Sequence, residues 1–164
     1  PRIDEFDPQG ISGMSWSLSQ LQFSERPPLS ALSTASPSKA SRHGAQEIAN
    51  ISWGYGKMKQ FDVPLLNALS TTGVNALADS TTQNLSNTLW ACTKLEFHRE
   101  LGTRALTAGA LAKLTELRAQ DVCSIVWSCA LLQMKDWPLL TSLSSAALTM
   151  LPACGAQGLA NLAW

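Results

Sequence analysis

Apolar and polar positions along the chain recur together in one register. Trp16, Trp53, Trp90, Trp127 and Trp164 follow one another at intervals of 37 residues. Seven residues before each stands a glutamine: Gln9, Gln46, Gln83, Gln120 and Gln157. Two residues after each glutamine comes an aliphatic side chain, Ile11, Ile48, Leu85, Val122 and Leu159. Twelve after it come Leu21, Met58, Leu95 and Leu132. A second cluster recurs further on, at 29–32, 66–69, 103–106 and 140–143, preceded in three cases by Pro27, Pro64 or Pro138. Self-similarity at a fixed period of this size is the signature of a repeat architecture, in which each unit is one supersecondary element.

Each unit reads as two helices. The first runs from about the glutamine to about fourteen residues beyond it. The second opens near the proline, which suits a first helical turn because its missing N–H has no intrahelical partner there. Asp62 and Asp136 stand two residues before Pro64 and Pro138, where they are expected to cap second helices, and Asp7 and Thr81 are expected to cap first helices. The third unit has Leu101-Gly102 in place of the proline, and the first has Pro37 within the serine-rich stretch 30–41, which predicts a short or frayed second helix. A helix pair cannot cover its own apolar face, but stacked pairs can. The predicted fold is therefore all-α, an α-solenoid of antiparallel helix-pair repeats. The units span about 8–44, 45–81, 82–118 and 119–155, with a truncated fifth at 156–164. The chain begins at Pro1 and ends within a motif at Trp164, which reads as a fragment of a longer protein.

At about 100° per residue, the first helix separates into faces. Ile48, Ile51, Tyr55 and Met58, with Leu85, Thr88, Cys92 and Leu95 in the next unit, form an apolar stripe expected to be core. Ala49 and Gly56, Ser86 and Thr93, and Cys123 and Ala130 form a strip of small residues that permits close helix approach. The tryptophans beside it read as packing anchors between units, with a base-stacking platform as the other reading. The remaining strip is small and polar and is expected to be the free, ligand-facing surface. Its candidates are Glu47, Asn50 and Lys57, then Asn84, Asn87 and Lys94, then Asp121 and Ser124. The asparagine repeats as Asn50, Asn87 and Asn161, so it reads either as a stack-holding amide or as a ligand contact. The position of Glu47, Asn84 and Asp121 varies more between units and suits ligand discrimination better. Lys57 and Lys94 share one register, with Lys59 nearby, and suit phosphate contacts or a solvated helix end.

Composition narrows the partners. Hydrophobic residues make up 45% and charged residues 15% of the 164, and no stretch approaches the roughly 18–20 uninterrupted apolar residues of a membrane span. Twelve basic and twelve acidic residues give a formal charge of zero, which argues against a strongly electrostatic partner such as bulk DNA but leaves room for a local basic stripe. Cys92, Cys123, Cys129 and Cys154 lack metal-ligand spacing, so they read as buried free thiols and no metal site is expected. No phosphate-loop, dinucleotide, zinc-protease or nucleophile-elbow motif occurs, and His98 beside Arg99 and Glu100 reads as a charged turn. The expectation is a non-enzyme without cofactor, small-molecule substrate or membrane partner.

The segments Gln46-Glu-Ile-Ala-Asn-Ile-Ser-Trp53-Gly-Tyr-Gly-Lys-Met58 and Gln83-Asn-Leu-Ser-Asn-Thr-Leu-Trp90-Ala-Cys-Thr-Lys-Leu95 resemble the LANxLWALAKL core of heptatricopeptide and octotricopeptide repeats. The 37-residue period fits the heptatricopeptide type best, and the resemblance extends over the whole chain. Tetratricopeptide, ankyrin and HEAT or armadillo repeats have other periods, about 34, 33 and 40–47 residues. The resemblance implies an array that binds single-stranded RNA in a mitochondrion or plastid, in RNA processing, stability or translation. Many relatives of that type carry a RAP domain, none of which is visible in this sequence. The alternative is a protein-binding or architectural scaffold, for example within an organellar ribosome, since one fold serves both.

Overall fold

The computed structural model describes residues 5–23, 42–67, 76–97 and 100–163, and all regular structure among them is helical. In chain order the α-helices are α1 (Pro8–Gln20), α2 (Ala45–Met58), α3 (Thr82–Lys94), α4 (Glu100–Ala112), α5 (Ala119–Leu131), α6 (Trp137–Met150) and α7 (Ala156–Ala163). A further helical segment occupies 63–67. Helices α1, α2, α3, α5 and α7 each begin 37 residues after the one before. Single 3-10 turns at Leu77–Asp79, Leu114–Glu116 and Leu151–Ala153 keep the same spacing. The second helix expected in the first unit, His98 and Trp164 lie outside the described residues.

The ends of these helices are set locally. Asp7 accepts from the Gly10 N–H at 2.7 Å and Thr81 from the Asn84 N–H at 3.2 Å. Asp62 and Asp136 accept from the N–H groups of Leu65 and Leu139 at 2.9 and 3.1 Å. Each bond satisfies one of the orphan donors of a first turn. At the other end of the first four first helices the chain enters the left-handed region, at Gln22, Lys59, Glu96 and Gln133, with φ of 51–53°. The next N–H in each case reaches back five residues: Phe23 to Leu18, Gln60 to Tyr55, Phe97 to Cys92 and Met134 to Cys129, at 2.9–3.0 Å. This is the Schellman closure, here made without glycine. Each non-glycine residue in that region costs about 1 kcal/mol, which the recovered carbonyl partners and the apolar residue that often follows offset.

The first helices pack on one another in chain order, α1 on α2, α2 on α3, α3 on α5 and α5 on α7. Helix α4 packs on α3 and on α6, and α6 packs on α5. Small residues set the closeness. A Cβ on Gly54 would stand 2.8 Å from the Ser15 carbonyl oxygen in α1, and one on Gly56 would stand 3.0 Å from the Ala91 Cα in α3. The core forms two clusters. One gathers Ile11, Ile48, Ile51, Tyr55, Leu65 and Leu95; the other gathers Leu89, Val122, Ile125, Cys129, Leu139 and Leu143. The apolar stripe expected from the sequence supplies much of both, although Met58, Thr88 and Cys92 are only half-buried.

The expected free strip is corrected in part. Gly54, Ala91 and Ser128 belong to it by register, yet all three are buried. The position of Glu47 and Asp121 also faces the preceding first helix. Its fifth-unit equivalent, Gly158, would bring a Cβ to 3.0 Å from the Cys123 sulfur. A helix stacked between two neighbours must offer one flank to each, and the polar strip was drawn wide enough to include one of those flanks.

Candidate nucleic-acid interface

Once both flanks and the core stripe are assigned, one line along each first helix stays open. It runs through the glutamine and the residues four, seven and eleven positions beyond it, a spacing that keeps them on one face. In α2 the line is Gln46, Asn50, Trp53 and Lys57; in α3 it is Gln83, Asn87, Trp90 and Lys94. In α5 it is Gln120, Ser124, Trp127 and Leu131, and in α1 it is Gln9, Gly13, Trp16 and Gln20. All five glutamines are exposed, as are both lysines, while the asparagines and Trp53, Trp90 and Trp127 are half-buried. In α7 the Gln157 side-chain N–H donates to the Asn161 Oδ1 at 3.0 Å, so the two amides of one line meet.

Trp16, Trp53, Trp90 and Trp127 are not members of the core clusters, and Trp16 is 47% exposed. They still touch between units: the Trp53 and Trp90 rings lie with centroids 6.3 Å apart at an interplanar angle of 31°. The lysines fill the remaining spaces differently. Lys57 lies over its own Trp53 at 4.8 Å and leans back to donate to the Gln20 Oε1 of α1 at 2.9 Å. Lys94 leans forward, over Trp90 at 5.7 Å and over Trp127 of α5 at 4.8 Å. Cation–π contacts at exposed sites contribute about 0.5–1 kcal/mol each, enough to order a lysine without burying it.

The eight residues singled out from sequence divide accordingly. Asn50, Lys57, Asn87, Lys94 and Ser124 stand on the open line. Glu47 is half-buried and accepts from the Gly44 N–H at 3.0 Å, closing the first turn of α2. Asn84 is half-buried; its N–H donates to the Thr81 cap, and its carbonyl accepts from the Thr88 hydroxyl at 2.8 Å. Asp121 is 2% exposed and its carboxylate is surrounded by donors. It accepts from the Thr82 and Ser86 hydroxyls of α3 at 3.2 and 3.1 Å, and from the Arg118 N–H and Nε at 3.2 and 3.1 Å. It ties α5 to α3 and faces no solvent. The tryptophans and glutamines, absent from the eight, complete the surface. The signal for them was the pairing of Trp53 with Lys57 and Trp90 with Lys94 at a spacing of four, the separation at which helical side chains meet.

The cysteines stand apart from this face. Burial pushes the thiols of Cys92 and Cys129 up, to about 12 and about 11. Cys123, at a Sγ–Sγ distance of 3.6 Å from Cys154, is also pushed up to about 11, first by burial and then by that neighbour. A raised pKa leaves almost no thiolate at neutral pH, and the thiolate is the nucleophile. In the native protein at pH 7.5, iodoacetamide is therefore expected to leave Cys92 and Cys129 unmodified over a period in which the urea-unfolded chain is alkylated at both. Peptide mapping checks this; rapid native alkylation of Cys92, a half-buried residue, would show that its thiol is not held in the apolar surroundings that raise its pKa.

Among the described residues no group of three His, Cys, Asp or Glu side chains is placed to hold a metal ion, and no helix is long and apolar enough to cross a membrane. No family model matches the chain, and no curated protein matches it.

Proposed function

We propose that the chain is an α-solenoid of antiparallel helix pairs, of the heptatricopeptide or octotricopeptide type, that binds single-stranded RNA. The observation that carries this reading is the open face itself: indoles interleaved with Lys57 and Lys94, flanked by glutamine and asparagine amides. Each component suits a part of an unpaired strand. Indoles stack on bases regardless of sequence. Ammonium groups neutralise phosphates. Amides offer donor and acceptor together, which suits exposed base edges. Glu47 and Asp121, the carboxylates nearest by sequence, are engaged with backbone and neighbouring donors rather than aimed at a strand. A neutral chain then has a locally cationic face. The array acts by holding RNA, without catalysis. Placement in a mitochondrion or plastid, and a role in transcript processing, stability or translation, rest on the repeat resemblance alone.

A protein-binding scaffold is the second reading, and it draws on a different surface. Trp137 and Leu148, 71% and 70% exposed, lie on α6, and Phe61 and Val63 are exposed near 63–67. These are large apolar groups away from the amide and lysine line, of a kind enriched in protein contacts.

Titration of a fluorescent oligouridylate at two salt concentrations separates the two. The RNA reading expects binding that weakens with salt. In the Lys57→Met/Lys94→Met variant, the slope of log affinity against log salt is expected to fall by about two, one per lost phosphate contact. A folded protein that fails to bind the oligomer at low salt excludes the RNA reading and leaves the scaffold.

A further inference from the structure

The spaces between successive indoles are not alike. Trp53 and Trp90 are in direct ring contact, within the roughly 4.5–7 Å of an aromatic pair. Lys57 lies over Trp53 and leans back toward Gln20 of α1, rather than over Trp90. Trp90 and Trp127 instead share one ammonium: Lys94 lies over both rings, at 5.7 and 4.8 Å from their centroids. The two indoles thus face a common space, and its occupant is an exposed, flexible side chain. Lys94 is held there by cation–π attraction, and among the described residues no hydrogen-bond acceptor or carboxylate pairs with its ammonium, so displacing it costs little. On α5 the equivalent position is Leu131, and among the described residues Lys94 is the cation over these two rings.

We propose that the space between Trp90 and Trp127 is an insertion site for one unpaired base of a single-stranded nucleic acid, with Lys94 as its latch. The base takes the place of the ammonium and stacks on the indoles. The ammonium swings out along its four-carbon stem to the phosphate beside that base. The exchange conserves favourable contacts: ring–cation gives way to ring–base, and the lysine gains an anion in place of a ring face. The Trp53–Trp90 pair is already in ring contact and holds no lysine shared between its rings. The inference rests on the RNA reading above and assigns one pocket within it.

Photocrosslinking of the 164-residue chain with an oligouridylate carrying 5-bromouridine tests the assignment, with affinity followed in parallel by anisotropy. Adducts are expected on Trp90 and Trp127, and Trp127→Leu is expected to weaken binding about tenfold, as for loss of one stacked base. Binding with adducts confined to Trp16 or Trp53, or unchanged affinity in Trp127→Leu, overturns the insertion site while leaving RNA binding intact. Absence of any binding by the unmodified oligomer overturns both. Should Trp127→Leu fail to fold, Lys94→Gln decides. Its adducts are expected to remain on both rings while the salt slope falls by about one; an unchanged slope overturns the latch.

Discussion

Replacing Asp121 by alanine is expected to destabilise the protein by roughly 2–3 kcal/mol, the range for removing a buried charged acceptor from its donors. The carboxylate is 2% exposed and receives two hydroxyls from α3 and two N–H groups from Arg118. After truncation Ser86 keeps its bond to the Gln83 carbonyl at 3.1 Å, and Arg118, at 62% side-chain exposure, turns to water. Thr82, which is buried, loses the acceptor of its hydroxyl, and the first turn of α5 loses the acceptor that closes it. Asp121→Asn is expected to lie between the two, since its carbonyl oxygen still accepts from α3 while its amide N–H₂ opposes Arg118. Urea denaturation with an unchanged m-value measures both. A loss below about 0.5 kcal/mol, the usual range for a surface change, would mean that this carboxylate does not join α3 to α5. RNA affinity of the folded Asp121→Asn protein is expected to equal that of the parent, because the side chain has no path to the open face.

Gly54→Leu is expected to cost roughly 3 kcal/mol, at the upper end of overpacking substitutions. Glycine inside a helix is ordinarily a liability, and replacing it by alanine gains up to about 1 kcal/mol in propensity. The surroundings reverse that sign here. The first added carbon would meet the Ser15 backbone carbonyl at 2.8 Å, and a carbonyl within α1 cannot step aside as a side-chain tip can. The two helices must part, which opens the cluster that joins Ile11 to Ile48, Ile51 and Tyr55. Gly13→Ala serves as the internal control. No heavy atom lies within 4 Å of its added Cβ, so the full propensity gain of about 1 kcal/mol is expected. Thermal unfolding of the two variants reads opposite signs from one type of residue on neighbouring helices. A Gly54→Leu protein as stable as the parent would show that α1 does not sit against α2 at this point.

Much of this architecture was legible in the chain. The tryptophan and glutamine register predicted where first helices begin, and the prolines where second helices open, because a helix start needs only local chemistry: Asp7 and Thr81 cap first helices, and Pro64 and Pro138 stand in the first turns of second helices, where an N–H is dispensable. The Schellman ends were not legible, since Gln22, Lys59, Glu96 and Gln133 carry none of the glycine that normally marks that conformation. Of the candidate face, Asn50, Asn87, Lys57 and Lys94 could be read from polarity alone, while Glu47 and Asp121 could not be told from them. An acidic residue near a helix start looks the same whether it meets a ligand, its own backbone or the next helix.

The sequence by itself determined the helical character, the 37-residue spacing of the helix starts and much of the apolar stripe, because all three depend on residues close together along the chain. Only the tertiary structure decided which flank of each helix meets which neighbour. That assignment turned Gly54 and Ala91 inward, drew Asp121 under α3, and left the indoles at the surface with Lys94 between two of them. The physical reason is that an isolated helix has one apolar face and one polar face, whereas a stacked helix also has two contact flanks. Close approach on those flanks selects small side chains and paired polar groups, which in a linear sequence resemble a surface.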